Sequence, residues 1–156
     1  LSIGVFILTN LYYMGHNEDY LKQLRHSCAH LLAAAVLELW PGTHNAIGPA
    51  IDKGFYQDFD FGDVKISEED FQKIEQKMKE LVKSWDDFSI EEVSVEQAKK
   101  DFAHNPYKIE LIEEFAAEGK TLTETRQGEF LDFCKGGHVE DMKKELRHFK
   151  LLSVAG

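Results

Sequence analysis

Cysteine is scarce in this chain: two thiols, Cys28 and Cys134, stand among 156 residues. They lie far apart with no secretory signal ahead of them, which excludes a disulfide framework and points to a reducing, cytoplasmic setting. Proline is as sparse, and Pro41, Pro49 and Pro106 punctuate the chain without forming a linker. Repeats and low-complexity tracts are missing, which excludes a solenoid or array. So are long apolar runs. Leu1 to Leu8 comes nearest, but it falls short of the ~18 residues a membrane helix needs and lacks the basic start and cleavage site of a signal peptide. Positive charge is in deficit, with 18 basic against 28 acidic residues and a net charge of −10. That balance excludes a surface gripping a nucleic-acid backbone over a wide area, so with an RNA substrate most of the hold would come from elsewhere.

What is present suits a soluble globular domain: 43% of residues are hydrophobic, 29% are charged, and eleven are Phe. A chain of this length buries roughly 70% of its unfolded surface, enough for a core in which aromatics take a large part. Residues 1–17 read as an N-terminal extension of unknown role. The first residue is not Met and Met14 offers a natural start, so residues 1–13 read as upstream sequence, a fragment edge or an added strand. Residues 18–156 read as one continuous domain.

Glu18 to Trp40 consists of good helix formers and is closed by Pro41-Gly42. Leu24, Cys28, Leu31, Ala35 and Leu39 share one face, while Ala29, Ala33 and Leu37 flank His26 and His30. Beyond Cys28 the helix is apolar nearly all round, which predicts burial. Phe55 to Phe61 alternates as a strand, with Phe55, Gln57, Phe59 and Phe61 opposite Tyr56, Asp58 and Asp60. Ser67 caps a helix predicted to reach about Trp85, with Phe71, Ile74, Met78, Leu81 and Val82 on one stripe. A strand over Phe88–Val93, a short helix to Phe102, and a helix opened by Pro106 and running to Gly119 follow. A hairpin around Gln127-Gly128 and a last strand over Phe149–Val154 complete the order. The pattern predicts an α+β fold with helices packed on an antiparallel sheet and a central buried helix that carries His26 and His30.

His26 and His30 stand four apart, about 40° around the helix axis and one turn along it, so both rings can converge on a metal ion, a water or the polar end of a substrate. Two core histidines held by hydrogen bonds would show the same spacing, but the small Ala29 and Ala33 leave room beside the rings, and buried imidazoles need partners. A second cluster, Asp132, Cys134 and His138, lies in Phe130-Leu-Asp-Phe-Cys-Lys-Gly-Gly-His-Val139. Strand period sends Asp132 and Cys134 to one face, expected to look outward into a cleft, and Leu131 and Phe133 to the other. Gly136-Gly137 allows a tight turn that returns His138 toward Cys134. Cys134 as a merely buried small hydrophobe suits such neighbours poorly, whereas Cys28, about 200° round the helix from His26, reads as core.

Together His26, His30, Cys134 and His138 form a ligand set that could hold tetrahedral zinc if their segments meet. A zinc protease is excluded, because its signature needs Glu directly after the first His and Ser27 stands there. Four protein ligands would also close a zinc site to the water that hydrolysis requires.

Four runs, Arg25-His-Ser-Cys-Ala-His-Leu-Leu32, Ala46-Ile-Gly-Pro-Ala-Ile-Asp-Lys-Gly-Phe-Tyr56, Tyr107-Lys108 and Asp132-Phe-Cys-Lys-Gly-Gly-His138, follow the order and spacing of the editing domain of bacterial threonyl-tRNA synthetases. Over residues 18–156 the chain resembles that family, whose domain is shared in diverged form with alanyl-tRNA synthetases and free-standing editing proteins. The resemblance implies hydrolysis of mischarged seryl-tRNA(Thr), because a synthetic site cannot fully reject serine, which lacks only a methyl of threonine, and a second pocket must remove it. It implies His26, His30, Lys108, Cys134 and His138 as the catalytic set, with Asp132 holding the serine amino group and Tyr56 and Gln57 shaping the pocket. Lys108 enters through the resemblance alone.

Two positions depart from the family pattern: Gly137 stands where Pro is usual before the last His, and Gln57 where a second Tyr is usual. The alanyl-type relatives use the equivalent cluster for zinc, whereas the threonyl type need not, so a metal-free site is favoured and zinc is the alternative at His26, His30, Cys134 and His138. Nothing resembles the ATP-binding motifs of a synthetic core, so ATP belongs to domains outside this chain. The implied partners are the tRNA(Thr) acceptor end carrying serine and the other domains of a synthetase. A free-standing trans-editing deacylase and a structural zinc or interaction module are the other readings.

Overall fold

A computed structural model describes residues 2–6, as backbone, and residues 18–155. Met14 therefore lies outside the described residues. In chain order the elements are β1 (Ser2–Phe6), α1 (Glu18–Leu39), β2 (His44–Asn45), β3 (Ala50–Ile51), β4 (Gly54–Asp60), a 3-10 turn (Glu68–Asp70), α2 (Phe71–Leu81), β5 (Ser89–Glu92), α3 (Val95–Asp101), α4 (Pro106–Ala117), β6 (Thr123–Gln127), β7 (Phe130–Phe133), α5 (Met142–Glu145) and β8 (Lys150–Ala155). The fold is α+β with antiparallel sheets, as the sequence pattern predicts. It falls into two compact units, a finer division than the continuous domain expected: one runs to Asp86 and resumes at His138, and the other is Asp87–Gly137.

In the larger unit the sheet runs β2-β4-β1-β8, with β3 also paired to β4. The N-terminal stretch thus supplies a strand, its Gly4 opposite Tyr56 of β4 and Ser153 of β8. Strand β4 alternates as expected, with Phe55, Gln57 and Phe59 buried and Tyr56, Asp58 and Asp60 half-buried. Helix α1 packs on β4 and α2, and every residue from Ser27 to Val36 is buried. Such a helix must be covered on all sides, because its apolar residues leave no face for water.

Helix α2 begins with a capping box at Ser67, whose N–H donates to Asp70 and whose hydroxyl accepts from Glu69. It ends at Leu81, short of the expected Trp85. The Ser84 hydroxyl donates to the Leu81 carbonyl at 2.9 Å, and the chain tightens into i→i+3 turns that bury Trp85. Glu75 on α2 accepts from Leu151 N–H at 2.8 Å and from Lys150 at 3.1 Å, joining α2 to β8.

The smaller unit is a three-stranded antiparallel sheet, β5-β6-β7, with α3 and α4. Its core is Ala98, Phe102, Ile112, Leu122 and Phe133, with Leu131 packed against them. The expected hairpin has its two-residue turn at Gly128-Glu129, and Gly128 takes the positive φ of 57° that such turns require.

Candidate active site

Burial of α1 carries His30 into the interior, where it is 4% exposed, and leaves His26 half-buried one turn earlier. Their Nε2 atoms lie 3.3 Å apart. His138 comes from a different part of the chain. Gly136 and Gly137, with φ of 82° and 83°, turn the backbone just before it, and the next residue is pinned to α1 by the Val139 N–H, which donates to the Ser27 hydroxyl at 3.0 Å. Ser27 in turn donates to the Gln23 carbonyl at 2.9 Å. The His138 ring stacks on His26 at 4.9 Å and 12°, and meets His30 edge-on at 5.0 Å and 60°.

Ser27 has a part in this arrangement that its position after His26 did not disclose beyond excluding a protease. A fully buried hydroxyl in an otherwise apolar helix needs a partner, and that was the signal available. The partner is the segment that delivers His138.

Ring nitrogens of His26, His30 and His138 lie within 4.8 Å of one another. Tetrahedral zinc with bonds of ~2.0–2.1 Å separates its ligand atoms by roughly 3.3–3.4 Å, close to the 3.3 Å between the Nε2 atoms of His26 and His30. The same distance serves a hydrogen bond in which one imidazole donates and the other accepts. The trio therefore fits either a metal ion or a hydrogen-bonded group that handles a water molecule.

Gln57 is buried on the α1 side of β4, its amide donating to the carbonyls of Ile47 at 2.9 Å and Asp58 at 3.3 Å. A Cβ on Gly48 would stand 2.0 Å from Gln57 Oε1 and 3.1 Å from the Ala29 Cβ. A side chain at Gly48 would therefore force the end of Gln57 to shift and would crowd Ala29, the residue that precedes His30. Tyr56, the next residue back along the strand, projects to the opposite face and is half-buried. Strand period separates the two side chains.

In the smaller unit, Asn105 caps α4, accepting from the N–H groups of Tyr107 and Lys108, and Pro106 occupies the first turn. The cap places Lys108 so that its Nζ lies 2.6 Å from Asp132 Oδ1, with the two side chains 4% and 5% exposed. The same oxygen accepts from the Phe133 N–H at 2.9 Å. The strand period holds, with Leu131 and Phe133 facing the core, while Asp132, expected to look outward, is buried and paired with the lysine. Cys134, just past β7, is half-buried and accepts from the Gly136 N–H at 3.3 Å. Cys28 is core, 1% exposed, and burial pushes its thiol up to about 12, which keeps it unreactive.

The larger unit thus holds His26, His30, His138, Tyr56 and Gln57, and the smaller holds Lys108, Asp132 and Cys134. Among the described residues no helix is long and apolar enough to cross a membrane. No family model matches the chain. It is 49% identical over 135 residues to the threonine-tRNA ligase of Thermotoga neapolitana, a match covering 85% of the chain and 20% of that protein. With the threonine-tRNA ligases of Streptococcus equi subsp. zooepidemicus and Streptococcus mutans it shares 46% over 140 residues, 90% of the chain and 22% and 21% of theirs. Similarity of this degree, over nearly all of a chain that spans about a fifth of the length of the curated relatives it matches, shows that the chain belongs to the threonine-tRNA ligase family.

Proposed function

We propose that this chain is the editing part of a threonine-tRNA ligase and hydrolyses the ester of serine mischarged to tRNA(Thr). The observation that carries the reading is the convergence of three imidazoles, two from α1 and one from a separate segment, with centroids 4.6 to 5.0 Å apart. A histidine that donates from one ring nitrogen to a neighbouring imidazole keeps the lone pair of the other nitrogen, and is suited to orient a water and take its proton. Lys108 offsets the charge that builds on the tetrahedral intermediate, and Asp132 receives the α-ammonium group of the aminoacyl ester. Gln57, on the buried face of β4, shapes the side-chain pocket and in place of the family's tyrosine alters its outline, whereas Tyr56 projects from the opposite face of the strand. Cys134 contacts the substrate, and a ribose hydroxyl of the terminal adenosine helps carry the proton.

The net charge of −10 agrees with a tRNA held mainly by other domains of the ligase, which also carry ATP and the synthetic reaction. This reading places the protein in the cytoplasm with tRNA(Thr) as its partner. The second reading, a zinc module without turnover, is favoured by the 3.3 Å spacing of His26 and His30. Zinc would be held by those two residues with His138, and by Cys134 four residues earlier in the chain. It would supply either a structural clasp or, with a position left open, a Lewis acid for hydrolysis.

Deacylation of Ser-tRNA(Thr) beside Thr-tRNA(Thr), with and without a chelator, tests both. Selective loss of serine that survives chelation and falls about 10²- to 10⁴-fold in His30→Ala is the expected result. Equal cleavage of the two esters, or indifference to His30→Ala, overturns the editing reading. Stoichiometric zinc without hydrolysis, in this chain and in the full-length ligase, replaces it with the second.

A further inference from the structure

We infer that Thr125 is a positioning residue for the same ester, accepting a hydrogen bond from the substrate's α-ammonium group beside Asp132; the inference rests on the hydrolase reading. Thr125 lies in the middle strand of the smaller unit, paired with Ile90 of β5 on one side and with Asp132 of β7 on the other. Residues directly opposite in antiparallel strands share a face, with Cβ atoms roughly 4.5–5.5 Å apart. The Thr125 side chain therefore stands next to the carboxylate that Lys108 engages.

Thr125 is 0% exposed, and its Oγ1 makes no hydrogen bond among the described residues. A hydroxyl taken from water without a partner disfavours the fold, and native interiors seldom keep one without cause. A valine would fill the same space without that loss. The hydroxyl stands on the strand directly opposite a carboxylate that is already engaged. Lys108 already sets a cation 2.6 Å from Asp132 Oδ1, and that oxygen also takes the Phe133 N–H. A second ammonium drawn to this carboxylate meets a charge that is already balanced. It has three N–H donors to satisfy. The lone pairs of Thr125 supply an acceptor without further negative charge, so the site can hold two ammonium groups on one carboxylate.

The test uses the full chain and two probes: the seryl amide of adenosine, in which an amide replaces the ester, and its counterpart lacking the amino group. Thr125→Val should weaken binding of the seryl amide about tenfold or more, the effect of one lost hydrogen bond to a charged group. Binding of the des-amino probe should be unchanged, and the thermal midpoint unchanged or raised. Thr125→Ser, which keeps the hydroxyl, should bind the seryl amide like the parent. If the valine variant does not fold, Thr125→Ser and Thr125→Ala give the same comparison, since both lack the methyl and differ in the hydroxyl. Equal affinity with and without the hydroxyl, or equal loss for both probes, overturns the inference while leaving the hydrolase reading intact. A parent chain that binds neither probe and cleaves no ester removes both.

Discussion

In the larger unit three imidazoles crowd within 5.0 Å of one another. In the smaller unit one lysine and one aspartate face each other at 2.6 Å, both almost wholly buried. Imidazoles near neutrality can exchange a proton, accept or donate, and each remains tolerable in an interior when neutral. A buried ammonium and carboxylate have no such latitude, because each is acceptable only while the other is there. The first arrangement suits groups that must change state during a reaction. The second suits groups that hold charge still.

The largest expected effect breaks the second arrangement. Lys108→Met leaves the Asp132 carboxylate buried without its cation and should cost about 3–5 kcal/mol, read by urea unfolding of the chain. The double variant Lys108→Met with Asp132→Leu should recover most of that loss, since a well-packed apolar pair is tolerated where a single charge is not. If the single variant is as stable as the parent, the ion pair is not the constraint described.

A smaller effect sharpens the first arrangement. Ser27→Ala removes the acceptor of the Val139 N–H and should cost about 1–3 kcal/mol, and activity should fall further than that loss of stability implies, because the segment that follows Gly137 no longer holds His138 against α1. Equal hydrolysis in this variant would show that His138 is placed by other contacts.

The smallest effect concerns Glu124 on β6, which is 6% exposed. Burial raises its carboxyl above the ordinary value of 4.5, and the charges of Asp101 and Glu91 add to the rise while Arg126 opposes it. A carboxyl raised in the folded state favours folding in acid, and that contribution is lost as pH climbs through the folded value. Glu124→Gln should therefore be slightly more stable than the parent at pH 7, with the gain disappearing below the ordinary carboxylate range. Thermal midpoints of both proteins across that range check the sign, and a gain that persists in acid would assign it to packing.

Much of the scaffold was legible because its signals are local. The run from Glu18 to Trp40, stopped by Pro41-Gly42, is α1 to within a residue; the alternation around Gln57 and the glycines at 128, 136 and 137 are period and turn chemistry. His26 and His30 announce themselves by their spacing on one helix. Lys108 does not, because a lysine in a helix looks like any solvated charge until a cap at Asn105 and a strand at Asp132 surround it. The end of α2 is no easier to read, since the chain passes after Leu81 into tighter turns in which the Ser84 hydroxyl donates to the Leu81 carbonyl.

By itself, the sequence determined which segments are helical or extended and which faces are apolar, because those follow from backbone sterics and the periods of 3.6 and 2 acting over a few residues. It also carried the motifs of the ligase family. Only the tertiary structure decided that Ser27 ties down the segment after His138, that Asp132 is paired with Lys108, and that Thr125 lies opposite it with no hydrogen bond from its hydroxyl among the described residues. The first two depend on groups distant in the chain being brought within hydrogen-bonding range, and the cost of leaving a buried polar group unmatched, as in the third, is a property of the packed interior that no single segment contains.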